Sequence, residues 1–225
     1  MRVWGCLPLI LFLILLALLP LVFGQLFATA LMKLRLEPST AILLIMGIIL
    51  GGGINIPLKR IARKDALVEN PLAIVGLTGR WPWFQRVRQE TVIAVNVGGC
   101  LIPAGLAIYE IAHLLFDSPQ SLPWLAIAVA INTAICYRLA QPVSGIGIAL
   151  PGLVPAAVAA MSAVWLVPEQ APQVAFVAGV LGPLIGADVL HLRDIAALET
   201  GIASIGGAGT FDGIVLSGIV AAYLA

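Results

Sequence analysis

The chain has 225 residues, of which 61% are hydrophobic and only 10% charged, with a net charge of +1 and a mean hydropathy of +1.08. A soluble domain carries about a quarter charged residues, so a water-soluble fold is excluded, and so small a net charge leaves no basic field to attract nucleic acid. The composition reads as one integral membrane domain over residues 1–225, an all-α polytopic helix bundle partnered by the lipid bilayer. Cys6, Cys100 and Cys136 all fall inside apolar stretches and show no metal spacing, which makes them small packed residues.

A helix needs about 20 apolar residues to cross the hydrocarbon core. Seven segments are expected to do so: 7–32, 39–57, 91–116, 122–140, 143–167, 172–190 and 210–225. The first follows Met1-Arg2 like a signal peptide, but its apolar run continues through Phe27 to Met32. That is longer than a cleaved h-region of about 7–15 residues, so a retained helix is expected. The second and seventh are short or broken by glycine. Asp117-Ser118-Pro119-Gln120-Ser121 and Pro168-Glu169-Gln170-Ala171-Pro172 read as tight turns.

The basic residues suggest an orientation. Lys59, Arg60, Arg63, Lys64, Arg80, Arg86 and Arg88 crowd into a segment at 58–90, which is expected at the cytoplasmic face. The N-terminus is then inside, the C-terminus outside, and the location a cell inner (plasma) membrane. Arg2, Arg138 and Arg193 also fall inside, leaving only Lys33 and Arg35 outside. Within the basic segment, Trp81-Pro82-Trp83-Phe84 beside Arg80 and Arg86 reads as an interfacial anchor.

Polar and helix-breaking residues gather in the cytoplasmic half: Asn55, Glu90, Asn96, Arg138, Gln141, Ser144, Asp188, Thr210 and Asp212, with Asn132 deepest. Glycine and proline interrupt the third, fifth and sixth spans at Gly98-Gly99, Pro103, Gly145, Gly147, Pro151, Pro155, Gly182, Pro183 and Gly186. Such breaks free backbone groups that protein or water must satisfy at membrane depth. Close packing through small residues explains the glycines by themselves. Beside two carboxylates, a polar cavity explains more.

The most specific local signal is Ser204-Ile205-Gly206-Gly207-Ala208-Gly209-Thr210-Phe211-Asp212-Gly213. Its glycines let backbone amides turn inward. Thr210 reads as the N-cap of the last span, with Asp212 in the first helical turn, where the macrodipole favours an anion. No Lys follows the glycines, which excludes a phosphate loop. An ionisable residue at membrane depth is costly and is usually kept for function. Asp188 and Asp212, on consecutive antiparallel spans, are therefore the expected centre of a cytoplasm-facing ligand or ion site helped by Asn96, Asn132, Thr210 and Ser204. Asp188, His191 and Asp194 recur at i, i+3 and i+6, so Asp188, His191 and Asp212 are candidate metal ligands for a monovalent or divalent cation. Glu110 and His113 are expected to reach the interface or water at the outer end of the third span.

The stretches Asn55-Ile56-Pro57-Leu58, Thr91 through Gly99, Gly186-Ala187-Asp188 and Ser204 through Gly213 resemble a prokaryotic membrane-protein family called domain of unknown function 1614. The resemblance covers nearly the whole chain and implies a membrane protein of this size, with no activity attached. The aspartate pair also looks weakly like that of presenilin-type intramembrane aspartyl proteases. Ala187 stands where a Tyr would precede the first aspartate, and Thr210 where an Asp would follow Gly-Ala-Gly. Three functions stay open: transport or binding of a cation or small solute, an intramembrane hydrolase with Asp188 and Asp212 catalytic, and a structural or assembly role. In the hydrolase the two carboxyls would share a proton.

Overall fold

In a computed structural model, residues 7–62, 66–69, 84–87, 90–143, 147–195 and 201–225 are described. Met1-Arg2, Cys6, Arg63, Lys64, Arg80, Trp81-Pro82-Trp83, Arg88 and Ser144-Gly145, singled out above, lie outside them. The fold is mostly helical. The long helices are α1 (Leu7–Lys33), α2 (Pro38–Gly51), α3 (Ile102–Asp117), α4 (Leu122–Leu139), α5 (Leu153–Leu166) and α6 (Ala171–Pro183). A short α7 (Leu192–Ile195) and a terminal α8 (Gly213–Leu224) complete them. Among the described residues, the continuous helical stretches Val97–Asp117, Pro119–Leu139 and Pro168–Asp194 are long and apolar enough to cross a membrane. Pro38–Gly51, Leu153–Leu166 and Gly213–Leu224 are apolar but shorter.

Large apolar side chains face outward all around the bundle, including Leu21, Leu43, Phe116, Leu153 and Trp165. A soluble monomer would not expose so much; lipid is the matching solvent. The core is built on α6, where Val174 through Val180 are buried on every face. Helices come together there through small residues. A Cβ on Gly179 would stand 2.7 Å from the Ser217 carbonyl oxygen of α8, and one on Gly182 would stand 2.4 Å from Asn132 Nδ2 of α4. Small residues let backbones approach where no hydrophobic effect drives helices together.

The bundle has two distinguishable ends. At one, Lys33 Nζ donates to the Tyr223 carbonyl oxygen at 2.7 Å, and Gln170 Nε2 donates to Ser118 Oγ at 3.2 Å. This Lys33 end holds the tight turns. At the other, the Asp188 end, the expected all-α architecture fails. Strands β1 (Asn55–Ala62), β4 (Glu90–Asn96) and β7 (Ile202–Ile205) form a three-stranded sheet in the order β1-β4-β7. β1 pairs antiparallel with β4, Asn55 opposite Asn96, and β4 pairs parallel with β7, Val92 opposite Ile202. β2 (Ala66–Glu69) pairs with β3 (Phe84–Val87), and β5 (Gln141–Val143) with β6 (Gly147–Ala149).

The second, third and fifth expected spans are corrected accordingly. α2 stops at Gly51 under the Gly51-Gly52-Gly53 run, and the chain is extended from Asn55. Thr91-Val92-Ile93-Ala94-Val95 is a β-branched run that pairs as a strand, so the third helix starts only after Asn96. The fifth helix starts at Leu153, behind the β5–β6 hairpin. Pro57 is tolerated because β1 is an edge strand, and the register shifts beside it, between Pro57 and Lys59.

Candidate functional site

Asp188 owes its position to a break in the sixth helix. Pro183 has no N–H to continue the α ladder. The next residues, Leu184–Val189, form a wider π turn in which Leu190 N–H donates to the Ile185 carbonyl at 3.0 Å. Gly186 lets this turn press on α4: a Cβ there would meet the Thr133 carbonyl oxygen at 2.4 Å. π turns of this kind recur at functional sites. Gly186 and Ala187 are buried against the bundle, and Asp188 is half-exposed on the other side.

Asp212 is the N-cap of α8. Its backbone is extended (φ −68°, ψ 148°), its Oδ1 accepts from Ile214 N–H at 3.0 Å, and its Oδ2 accepts from Ala208 N–H at 3.3 Å. This corrects the expected role of Thr210. Gly209–Phe211 form a 3-10 turn, which leaves Thr210 before the cap, in an apolar groove with Phe23, Phe27 and Ile49.

Three glycine segments lock together behind the site. Gly51-Gly52, Gly98-Gly99 and Gly206–Gly209 meet backbone to backbone. A Cβ on Gly98 would lie 2.1 Å from the Ile48 carbonyl oxygen, and one on Gly99 would lie 2.0 Å from that of Gly206. Gly206 (φ +72°) and Gly209 (φ +60°) hold a left-handed backbone that costs an L side chain about 1–2 kcal/mol. Polar side chains bolt the same junction. Ser204 Oγ donates to Asn55 Oδ1 at 2.5 Å, and Asn96 Nδ2 donates to that oxygen at 3.0 Å and to the Gly52 carbonyl at 2.8 Å. Gly99 N–H in turn donates to Asn96 Oδ1 at 2.7 Å.

In front of the junction lies a cavity of about 420 Å³. Asp188, Asp212, Ser204, Asn55 and the Gly206–Ala208 backbone line it, with Gly147 of the β5–β6 hairpin opposite. The two aspartates, 24 positions apart in sequence, share this wall. Among the described residues neither carboxylate has a cationic partner, and Asp188 accepts no hydrogen bond.

The other expected site residues stand elsewhere. Asn96 is 0% exposed and its amide is fully engaged in the junction, so it supports the cavity wall without reaching the cavity. Asn132 is also 0% exposed; its Nδ2 donates to the Ala178 carbonyl at 2.8 Å and ties α4 to α6. The His191 ring faces the Gly186 carbonyl (Nδ1 to O, 3.0 Å) and packs on Tyr137 at 4.8 Å, outside the cavity lining. Asn55 and Gly147 were visible as polar or breaking residues but carried no expected ligand role. Their place depends on strand pairing, which periodicity does not reveal.

Chemically, the cavity offers two carboxylates and the Ser204 hydroxyl oxygen, while the Asn55 amide oxygen is already taken by two donors. Hard cations prefer oxygen donors of this kind. The family described as protein of unknown function (DUF1614) matches the chain over residues 49–224. No curated protein and no solved structure matches it.

Proposed function

The chain belongs to the DUF1614 family, and we propose that this integral membrane protein binds, and carries between its two faces, a cation or a small cationic solute held by Asp188 and Asp212. The observation that carries the reading is the shared cavity: two carboxylates from separate elements line one space with Ser204 and Asn55. The proposed topology has seven crossings, with α1, α2, α5 and α8 joining the three long apolar stretches, the N-terminus and the Asp188 end cytoplasmic, and the C-terminus external. It is supported by the alternation of helix ends between the Lys33 and Asp188 ends and by the distribution of Lys and Arg.

A di-aspartyl hydrolase would need the two carboxyls to share a proton through a hydrogen bond. Asp212 instead uses both oxygens on the N–H groups of Ala208 and Ile214. That supports binding over hydrolysis. The test is thermal unfolding of the purified chain in detergent with Na⁺, K⁺, Mg²⁺ or Ca²⁺ chloride against choline chloride at matched ionic strength. Asp188→Asn and Asp212→Asn should each lose most of the stabilisation given by the best cation. A variant that keeps the full response removes that residue from the site.

A further inference from the structure

A second polar cavity lies at the opposite, Lys33 end of the bundle. It has a volume of about 140 Å³, and its walls include Arg35, Glu110, His113, Asp117, Gln170 and Gln173. Two of these side chains differ from ordinary surface groups. Glu110 is 2% exposed and Gln173 6% exposed, yet each lines the cavity. Their Oε1 atoms are buried and have no hydrogen-bond partner among the described residues. The expectation that Glu110 reaches the interface or water is thereby corrected. Helix α6 packs beside α3 there, and Leu114 and Gln173 share the cavity wall with Glu110.

An unpaired buried carboxylate and an unpaired buried amide oxygen each cost on the order of 1–3 kcal/mol. Both Oε1 atoms are acceptors, so what would satisfy them is a proton held by Glu110, another donor or a cation. The fixed charges agree. Two carboxylates, Glu110 and Asp117, face one guanidinium, Arg35, while the His113 imidazole lies 3.7 Å from Asp117 at the exposed rim. Size agrees as well: a water takes about 10–15 Å³ of such space, so the cavity holds an ion with part of its hydration shell. A divalent ion fits less well. Ca²⁺ and Mg²⁺ gather several charged oxygens, and among the described residues no group of three His, Cys, Asp or Glu could hold a metal.

We propose that Glu110 and Gln173 form a monovalent-cation site at the Lys33 end, separate from the Asp188–Asp212 cavity. The Glu110 carboxylate supplies the charge, the Gln173 amide carbonyl a neutral oxygen, and waters complete the shell. A larger groove shares Arg35 and Tyr109 with this cavity. The inference does not depend on the function proposed for the aspartate pair.

The experiment separates the two sites. The full chain carrying Asp188→Asn and Asp212→Asn is purified in detergent and unfolded thermally in NaCl, KCl or choline chloride at equal ionic strength. Na⁺ or K⁺ should raise the melting temperature over choline. Adding Glu110→Gln should abolish that shift, and adding Gln173→Leu should raise the half-saturating salt concentration at least tenfold. In wild-type protein, an apolar carbodiimide should modify Glu110, read by peptide mass, and the effective salt should slow it severalfold where choline does not. The proposal is overturned if the salt shift survives Glu110→Gln. It is equally overturned if choline matches Na⁺ and K⁺, or if stability follows pH alone and ignores both ions.

Discussion

Gly99 and Gly105 sit six positions apart on the same helical stretch, and the same substitution should move stability in opposite directions at the two sites. A Cβ at Gly99 would lie 2.0 Å from the Gly206 carbonyl oxygen and 3.1 Å from that of Gly209, whereas ordinary contact begins near 3.4 Å. The obstacle is backbone, so no rotamer change relieves it. The Gly206–Gly209 turn would have to retreat by more than an ångström, against its own left-handed geometry and its packing on Gly52. Overpacking costs about 1–3 kcal/mol where side chains can adjust, so a backbone obstacle belongs at the upper end. Displacing Gly99 N–H from Asn96 Oδ1 adds about 1 kcal/mol. The sum is about 3–4 kcal/mol for Gly99→Ala.

At Gly105 a Cβ meets nothing within 4 Å. Replacing a helical glycine there should gain about 0.5–1 kcal/mol. In a chain of this size each kcal/mol moves the melting temperature by about 2–4 °C. Gly99→Ala should therefore melt roughly 6–16 °C lower and Gly105→Ala slightly higher, measured by intrinsic fluorescence in the same detergent. The retreating turn also carries Ala208, which bonds Asp212, so Gly99→Ala should weaken cation stabilisation as well. If Gly99→Ala melts within a degree or two of Gly105→Ala, the glycine junction is not the rigid support described here.

Other outcomes follow from the same contacts. Asp212→Ala should cost about 1–2 kcal/mol through loss of the α8 cap, while Asp212→Asn should recover much of that stability without recovering cation response; thermal melts in choline and in salt separate the two effects. Asn96→Ala, which strands the Gly99 N–H and the Gly52 carbonyl oxygen, should lower stability by about 2–3 kcal/mol and reduce expression of folded protein. Asn132→Ala should cost about 0.6–2 kcal/mol as an interhelical hydrogen bond in a membrane protein does, and leave the cation response intact, because its amide reaches Ala178 and no cavity. For the proposed topology, C-terminal fusions should be active with an external reporter and silent with a cytoplasmic one.

Helix positions at the Lys33 end were legible because proline and charge punctuate them. The expected 7–32 and 122–140 correspond to Leu7–Lys33 and Leu122–Leu139. At the Asp188 end the same rules misread the chain. Val92 through Val95 is an unbroken apolar run, and period alone does not separate a buried strand from a buried helix. What decides is pairing with residues 55–62 and 202–205, which are distant in sequence. The cap of α8 failed for a related reason. Thr210 and Asp212 are both competent caps, and the choice falls to Asp212 because Gly209 closes a 3-10 turn against Gly52. Glu110 was misplaced because its burial depends on α6 and the Leu34–Arg35 turn packing beside α3, which the pattern of its own helix does not reveal.

The sheet and the aspartate cavity belong together for a physical reason. Extended backbone at membrane depth survives only inside protein or against a water-filled space, since lipid offers its N–H and C=O groups nothing. In the proposed topology β4 meets that demand by pairing on both sides, with β1 and β7. Among the described residues β7 is an edge strand, and one row of its backbone groups has no strand to pair with. Ile202, Ala203, Ser204 and Ile205 of that strand, and the Gly206–Ala208 turn after it, are the wall of the cavity that Asp188 and Asp212 share. The strand next to that free edge thus borders a space that can hold water. A dry cavity would leave both the strand edge and the two carboxylates unsatisfied, whereas a wet one satisfies the edge and admits a cation to the carboxylates. Filling it should therefore harm more than binding: Ser204→Leu, which projects an apolar side chain into the cavity and removes the bond to Asn55, should lower both stability and cation response. Ile202→Leu, a volume-conserving change on the same strand, should lower neither. If Ser204→Leu kept the melting temperature and cation response of the parent, water in the cavity would not be what supports the strand edge.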